Sequence, residues 1–278
     1  MPHGPVIGLL HPGAMGGVIG AVLNAASNQE VLWVAEGRSR ESTRRAADAG
    51  LRDAGSLAGL CGEANVIVSV CPPEAANQLA SDVADTGFDG LYVDANAVSP
   101  QTARQIGTRF ARFVDGGIVG PPPTKPGLTR LYLAGHEGPE VAALFDTTPV
   151  ETRIVGSEAG AASAVKMCFA SWTKGSSALL LAIRALAEAE GVSEALLGEW
   201  ATSLPEIGAR SDGVAATTGP KAWRFEGEML EIAATFTAAG LPGEFHQGAA
   251  DIYHRLAPLK GSTAPSLEEA LDLLLSRS

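Results

Sequence analysis

A turn near the start of the chain combines residue types that suit the binding of phosphate groups. An apolar run, Val6–Leu10, leads into His11-Pro12-Gly13-Ala14-Met15-Gly16, and small residues suited to a helix follow. Gly13 and Gly16 stand at the second and third positions of Gly-x-Gly-x-x-Gly, a pattern that lets the backbone approach a dinucleotide pyrophosphate at a helix N-terminus. His11 replaces the first glycine, which leaves the geometry of the tight turn open. We predict dinucleotide binding by residues His11 to Met15.

The exit of the next apolar run, Val31–Val34, offers two interpretations of the cofactor. Glu36 follows Gly16 by 36 − 16 = 20 residues, the spacing of the acid that binds the ribose of NAD. Arg38, Ser39 and Arg40 crowd the same turn, and guanidinium and hydroxyl groups suit a 2′-phosphate. We predict a preference for NADP, with NAD as the alternative. On a third interpretation the turn is only the solvated start of a helix, with Arg44 and Arg45 at the surface.

A lysine within an alanine-rich stretch is a candidate for a functional role. Lys166 is surrounded by apolar neighbours, namely Ala162, Val165, Met167, Cys168, Phe169 and Ala170. A buried ammonium favours a functional role, although most lysines on helices lie at the surface. Thr173, seven residues later, shares the helix face of Lys166, whereas Lys174 lies about 80° away around the helix. Lys174 either approaches the substrate from another direction or caps a neighbouring element.

Composition and charge exclude several classes of partner. The net charge of −11 and the pI near 4.9 disfavour nucleic acid and anionic membranes, because both repel an acidic surface. No segment has about 18 uninterrupted apolar residues, and the N-terminus lacks the basic region of a signal peptide. Three cysteines without metal-ligand spacing indicate neither a disulfide framework nor a metal site. We expect a cytoplasmic protein that acts on a small molecule.

The first half of the chain alternates strands and helices, which is typical of a parallel sheet in a Rossmann-type α/β domain. The predicted strands are Val6–Leu10, Val31–Val34, Val66–Val70, Leu91–Asp94 and Phe113–Asp115. The predicted helices between them are Met15–Ala26, Glu41–Ala49, Glu74–Ala84 and Pro100–Phe110. A further strand is expected to end at Val155-Gly156 and to lead into the helical half, so we predict a dinucleotide-binding domain over residues 1–156.

The second half is predicted to be an all-α domain over residues 157–278. It begins with a long helix that ends near Gly191, and the later helices are expected at Glu194–Ala209, Lys221–Ala239, Glu244–Ala257 and Leu267–Leu275. The run Ala178–Ile183 carries more apolar surface than a small helical domain is expected to cover, which predicts a homodimer.

Five segments together resemble the β-hydroxyacid dehydrogenase and phosphogluconate dehydrogenase superfamily. They are Gly13-Ala14-Met15-Gly16, Arg38-Ser39, Cys71-Pro72-Pro73, the stretch from Val93 through Asn96 to Pro100, and the segment from Gly160 to Lys166. The resemblance implies that Cys71, Pro72 and Asn96 adjoin the cofactor. It also implies that Lys166 exchanges the proton as hydride is transferred.

The resemblance also assigns a substrate segment, Asp115 to Pro122, with Gly117 and Val119 facing the substrate. Val119 and Pro121 replace the serine and the last glycine of the family pattern, and Ala170 replaces its asparagine. His246 falls where the helical domain of the family approaches the cleft. The segment from Asp115 to Ile118 is similar to that of imine reductases, so imine reduction is an alternative to carbonyl chemistry. A third alternative is a sensor that binds NADP without turnover.

Overall fold

The computed structural model describes residues 4–26 and 29–276, and the chain divides into two compact units. Unit 1 comprises residues 1–167 and unit 2 residues 168–278. The boundary predicted at Gly156 falls at the end of a strand, whereas the division between the units lies within the long helix that follows.

Unit 1 alternates strands and helices along the chain, as predicted. Its strands are β1 Val6–Leu10, β2 Glu30–Trp33, β3 Arg52–Asp53, β4 Val66–Ser69, β5 Leu91–Asp94, β6 Arg112–Val119, β7 Thr129–Ala134 and β8 Val150–Gly156. Its helices are α1 Ala14–Ala25, α2 Arg40–Asp48, α3 Leu57–Glu63, α4 Pro73–Asp85, α5 Pro100–Gly107, α6 Gly138–Ala143 and the first turns of α7.

The strands form one sheet in the order β3-β2-β1-β4-β5-β6-β7-β8. Strands β1 to β6 are parallel, which confirms the predicted parallel sheet. Strand β7 is antiparallel to β6, and β8 is parallel to β7, an extension that the sequence analysis did not predict in full. The strand order reverses between β1 and β4, and in open α/β sheets the crevice that binds ligands lies outside the carboxyl ends of the strands at such a point.

Two hydrophobic clusters cover the two faces of the parallel strands. Ile7 and Leu9 of β1 belong to one cluster and Leu10 to the other, and β4 alternates in the same way. Successive side chains of a strand point to opposite faces, so each apolar run supplies both layers of the core. The buried strands therefore fix the position of the loops at their carboxyl ends.

Unit 2 is helical, as predicted. It contains most of α7 Ala161–Ala189, followed by α8 Ser193–Ser203, α9 Pro205–Thr218, α10 Ala222–Ala238, α11 Glu244–Arg255 and α12 Leu267–Leu275. The single helix predicted over Glu194–Ala209 was wrong, because Pro205 disfavours helical geometry at Leu204 and starts a new helix. Among the described residues, none of the helices combines the length and hydropathy required to cross a lipid bilayer.

Candidate functional site

The predicted dinucleotide turn lies at the crevice between β1 and β4. The backbone N–H of His11 donates to the carbonyl oxygen of Val70 at 3.3 Å, and the N–H of Val70 donates to the carbonyl oxygen of Leu10. These two bonds continue the pairing of β1 with β4 beyond the strands themselves. The turn from His11 to Gly16 and the loop at Cys71-Pro72 are therefore neighbours at the point where the strand order reverses.

The two glycines of the turn are required for different reasons. A Cβ atom at Gly16 would lie 2.0 Å from the carbonyl oxygen of His11, so this position has no room for a side chain. A Cβ atom at Gly13 would meet nothing within 4 Å, and Gly13 has an ordinary extended backbone with φ −70°. Neither packing nor backbone strain demands glycine at position 13. The space beside Gly13 is therefore free for a ligand that approaches the backbone.

The N-terminus of α1 has the features of an anion site. Gly13 is its N-cap residue, no side chain caps the helix, and its first turn contains no acidic residue. The first backbone N–H groups of a helix have no partner within the helix, and the helix dipole attracts negative charge there. The turn can therefore hold a phosphate group with its backbone.

His11 occupies the turn as a neutral side chain. Burial, and secondarily the positive charge of Arg38, lowers the pKa of His11 to about 4. Its Nδ1 atom is buried and has no hydrogen-bond partner within the described residues. Since buried polar atoms normally have a partner, this atom is a candidate contact for a bound molecule.

The turn after β2 presents Arg38, Ser39 and Arg40 as exposed residues. The positive charge of Arg38 contributes to the lowered pKa of His11 and opposes the raised pKa of the Cys71 thiol. The Ser39 side chain caps α2 by accepting from the N–H of Ser42 at 3.2 Å. That hydroxyl can still donate to a ligand, because capping uses it as an acceptor.

Arg45 has a role that the sequence analysis missed. Only the third interpretation of the turn mentioned it, as a surface residue. Its Nε donates to the carbonyl oxygen of Pro12 at 3.0 Å, and its guanidinium pairs with Glu41. The half-buried arginine thereby ties α2 to the glycine turn. The two segments are 33 residues apart, so no local pattern identifies the contact.

Asn96 links the exits of β4 and β5. Its Oδ1 accepts from the N–H of Cys71 at 2.6 Å, and its Nδ2 donates to the hydroxyl of Ser69 at 3.0 Å. Burial, followed by the charge of Asp94, raises the pKa of Cys71 to about 12, so this thiol stays protonated. Asn96 thus shapes the loop at Cys71-Pro72 through bonds within the protein. Its contact with the cofactor stays a prediction.

The start of α7 is held against β6. The carboxylate of buried Asp115 accepts from the N–H groups of Gly160, Ala162 and Ser163 at 2.8, 2.9 and 3.0 Å, and from the Ser163 hydroxyl at 2.6 Å. A Cβ atom at Gly117 would lie 2.6 Å from the carbonyl oxygen of Ala162 and 3.2 Å from the Cβ of Lys166. The structure therefore brings Gly117 and Lys166 together.

The surroundings of Lys166 are less enclosed than its apolar neighbours indicated. Lys166 is half-buried, Ala162 and Met167 are buried, and Cys168 and Phe169 are exposed. Residues next to each other in sequence lie on different faces of a helix, so the predicted burial of this part of the helix is only partial. Val119, a predicted substrate residue, is 3% exposed, whereas Gly120 and Pro121 beyond it in the same segment are exposed.

Three further candidates lie in unit 2. The Thr173 hydroxyl donates to the carbonyl oxygen of Phe169 at 3.2 Å. Lys174 pairs with Glu228 and lies over the ring of Phe225, 4.8 Å from its centroid, which favours the structural interpretation of this lysine.

His246 is 5% exposed and packs 4.4 Å from the ring centroid of Phe236. Its Nδ1 has no partner within the described residues, and burial lowers its pKa. No group of three or more histidine, cysteine, aspartate or glutamate side chains suited to a metal ion occurs in the part of the chain that the structure describes.

Comparison of the sequence finds relatives whose own function is not established. Residues 187–256 match the family model of a domain of unknown function, DUF1932. An uncharacterized 28.5 kDa protein in the 7S RNA 5′ region of Methanothermus fervidus is 28% identical over 170 residues, which make up 60% of this chain and 66% of that protein. The alignment therefore spans just under two thirds of that relative.

Comparison of the structure identifies the fold. A conserved protein of unknown function, described as structurally similar to 3-hydroxyacid dehydrogenases, is 25% identical with a TM-score of 0.67 and coverage of 91% of this chain and 97% of that chain. The 3-hydroxyisobutyrate dehydrogenase of Mycobacterium tuberculosis, solved with L-serine, is 18% identical with a TM-score of 0.69. The match covers 98% of this chain and 99% of that chain. A reductive aminase of Aspergillus terreus, solved with NADPH, is 17% identical with a TM-score of 0.54. The match covers 97% of this chain and 99% of that chain. These likenesses support the superfamily resemblance and show its fold.

Proposed function

Since the chain has the fold of the 3-hydroxyacid dehydrogenases, we propose that it is an NADP-dependent oxidoreductase with Lys166 as its acid and base. The substrate is a small β-hydroxyacid or a related carbonyl or alcohol compound. The observation that carries the proposal is the position of Lys166 against Gly117. Strand β6, which contains Gly117, belongs to the same parallel sheet as the dinucleotide turn.

The residues of the crevice fit a dinucleotide. The space beside Gly13, the uncapped start of α1 and the unpartnered Nδ1 of His11 are each explained by a ligand that lies against the turn. Arg38 and Arg40 supply positive charge for a 2′-phosphate, and Ser39 supplies a hydroxyl donor. The exposed Glu36 leaves NAD as the alternative, because a carboxylate at this spacing suits an unmodified ribose.

In the proposed mechanism the ammonium of Lys166 stabilises negative charge on the substrate and exchanges a proton with it. When bound, NADPH supplies the hydride. Lys166 donates a proton to the carbonyl oxygen as negative charge develops there, and in the oxidative direction it accepts that proton from the hydroxyl.

Imine reduction is the second candidate, and the substrate segment favours it. Asp115 uses its carboxylate to hold α7, and Val119 offers no hydroxyl, so this segment provides few polar groups for a substrate carboxylate. Turnover assays distinguish the two candidate functions. The purified protein with NADPH is tested for reduction of glyoxylate, succinic semialdehyde and a cyclic imine such as a methylpyrroline, and with NADP for oxidation of L-serine. Failure of every compound, with tight NADPH binding, would favour the third alternative, a sensor.

We also propose that the protein is a homodimer. Half of the run Ala178–Ile183 is buried, namely Ala178, Leu180 and Leu181. An apolar stripe nevertheless remains on α7, comprising Phe169, Trp172, Leu179 and Leu186, which are 45%, 69%, 44% and 62% exposed. Their spacing of three, seven and seven residues places them on one side of the helix. A second copy of this chain is the proposed partner, since large exposed apolar surfaces usually form interfaces.

A further inference from the structure

The carboxylate of Asp115 is fully enclosed and all its bonds go to the start of one helix. Asp115 is 0% exposed, and its Oδ2 accepts from three backbone N–H groups of residues 160 to 163. Its Oδ1 accepts from the hydroxyl of Ser163. Burial raises the pKa of Asp115, while these hydrogen bonds oppose that shift. Such a side chain does not face a substrate, and its hydrogen bonds instead hold the start of α7.

These bonds replace a local N-cap. An N-cap residue normally lies next to the helix that it caps, whereas Asp115 lies 45 residues before Gly160, on β6. On its other side the same loop is fixed by Arg104 of α5, whose Nε donates to the carbonyl oxygen of Ala159 at 3.1 Å. The first turn of α7 is therefore bound to the sheet and cannot turn about its own axis without breaking several bonds.

The distance between β6 and α7 is set by Gly117, two residues after Asp115. A Cβ atom at this position would lie within 2.6 Å of the carbonyl oxygen of Ala162. Residues three and four apart lie on the same side of a helix, so the bonds at Ala162 and Ser163 determine where the side chain at position 166 begins. The segment Asp115-Gly116-Gly117 thus fixes the rotation of α7 about its axis at Lys166 and the distance of Lys166 from β6.

We propose that Asp115 is the positioning residue for Lys166, acting through the N-terminal turn of α7. The effect of this positioning on catalysis rests on the proposed function, in which Lys166 is the proton donor. The position of the Lys166 ammonium is itself measurable without turnover. The two ideas can therefore fail separately.

The direct test follows the lysine side chains by NMR. The sequence contains Lys125, Lys166, Lys174, Lys221 and Lys260, and reductive methylation with a carbon-13 label gives each a resolvable signal, with Lys166→Met assigning the one of interest. In Asp115→Asn, and in Ser163→Ala as a milder variant that removes one bond, the Lys166 signal should shift while the other four stay in place. Ser266→Ala is the matched control, because it removes the side-chain cap of α12. An unchanged Lys166 signal in both variants would overturn the inference.

A double-mutant cycle tests the connection to turnover, using NADPH and whichever of the compounds above the wild type reduces. Asp115→Asn should lower kcat on the order of ten- to a hundredfold, because small misplacements of a reacting group are costly, and should leave the NADPH Kd unchanged. In the Lys166→Met background the same change should have no further effect, whereas additive losses would contradict action through Lys166. If Lys166→Met itself kept full turnover while the NMR shift was present, the positioning role would stand and the proposed function would fail.

Discussion

The carbonyl oxygen of His11 lies 2.0 Å from the point that a Cβ atom of residue 16 would occupy, whereas the space around Gly13 is open. We therefore predict that Gly16→Ala mainly lowers stability and that Gly13→Ala mainly lowers NADPH affinity. Gly16→Ala should destabilise the free protein by about 1 to 3 kcal/mol, since the turn must shift to admit the methyl group. Gly13→Ala should change stability by less than about 0.5 kcal/mol but weaken NADPH binding at least about tenfold.

Chemical denaturation of the two variants without cofactor, followed by titration with NADPH, makes the comparison. A strongly destabilised Gly13→Ala protein would mean that position 13 serves packing. Unchanged NADPH affinity in that variant would place the pyrophosphate elsewhere.

The cofactor preference is predicted to depend on Arg38. Loss of one guanidinium that binds a 2′-phosphate should cost about 1.5 to 3 kcal/mol, because such hydrogen bonds are charge-assisted. Arg38→Gln should therefore weaken NADPH binding by roughly ten- to a hundredfold and leave NADH binding nearly unchanged. Exposed Arg44, on the helix α2 that follows the turn, supplies the control, and Arg44→Gln should retain the NADPH affinity. Tighter binding of NADH than NADPH by the wild type would reverse the assignment in favour of Glu36.

His11 is predicted to make stability depend on pH. The folded protein holds the pKa of His11 at about 4, below the ordinary 6.5, so the unfolded chain binds more protons between these values. Stability from this group is therefore complete above pH 6.5 and is lost as the pH falls toward 4. The loss should reach a few kcal/mol, since one pKa unit corresponds to about 1.4 kcal/mol.

Urea denaturation at several pH values tests this dependence in the wild type and in His11→Asn. The variant should lose less stability on acidification, and Arg38→Gln should reduce the loss in part by removing the second cause. Equal acid sensitivity of the wild type and His11→Asn would exclude His11 as its source.

The oligomeric state is predicted to depend on the exposed stripe of α7. Light scattering at micromolar concentration should give about twice the chain mass for the wild type. Leu179→Glu should shift the protein toward the monomer, because a charge in an apolar interface is costly to desolvate. Thr202→Glu, at an exposed position of α8, is the control and should remain dimeric. A monomeric wild type would leave the stripe without its proposed partner.

The parts of the fold that depend on local pattern could be predicted from the sequence. Continuous apolar runs identified β1, β2, β4 and β5, and the glycine turn identified the point at which the strand order reverses. Strand β3 escaped prediction because it has two exposed residues and no apolar pattern. The break between α8 and α9 was missed although Pro205 signals it in the sequence.

The positioning residues of the candidate site could not be predicted in the same way. Arg45 bonds to Pro12 across 33 residues, and Asp115 bonds to Ser163 across 48 residues. Both side chains are ordinary in type, and their roles depend on which loops the sheet brings together. Lys166 was identified by resemblance, but its neighbour Gly117 showed its importance only through the close approach of α7 to β6.

The central claim is that Lys166 is the proton donor, and turnover by Lys166→Met tests it most directly. Methionine keeps an unbranched apolar side chain but has no proton to give, and a positioned acid is typically worth about 10² to 10⁴ in rate. NADPH should bind with nearly unchanged affinity, because its phosphates are assigned to the turn at Gly13 and to Arg38. Turnover of the carbonyl or imine compound that the wild type reduces should fall at least about a hundredfold. Near-normal turnover by Lys166→Met would contradict the account.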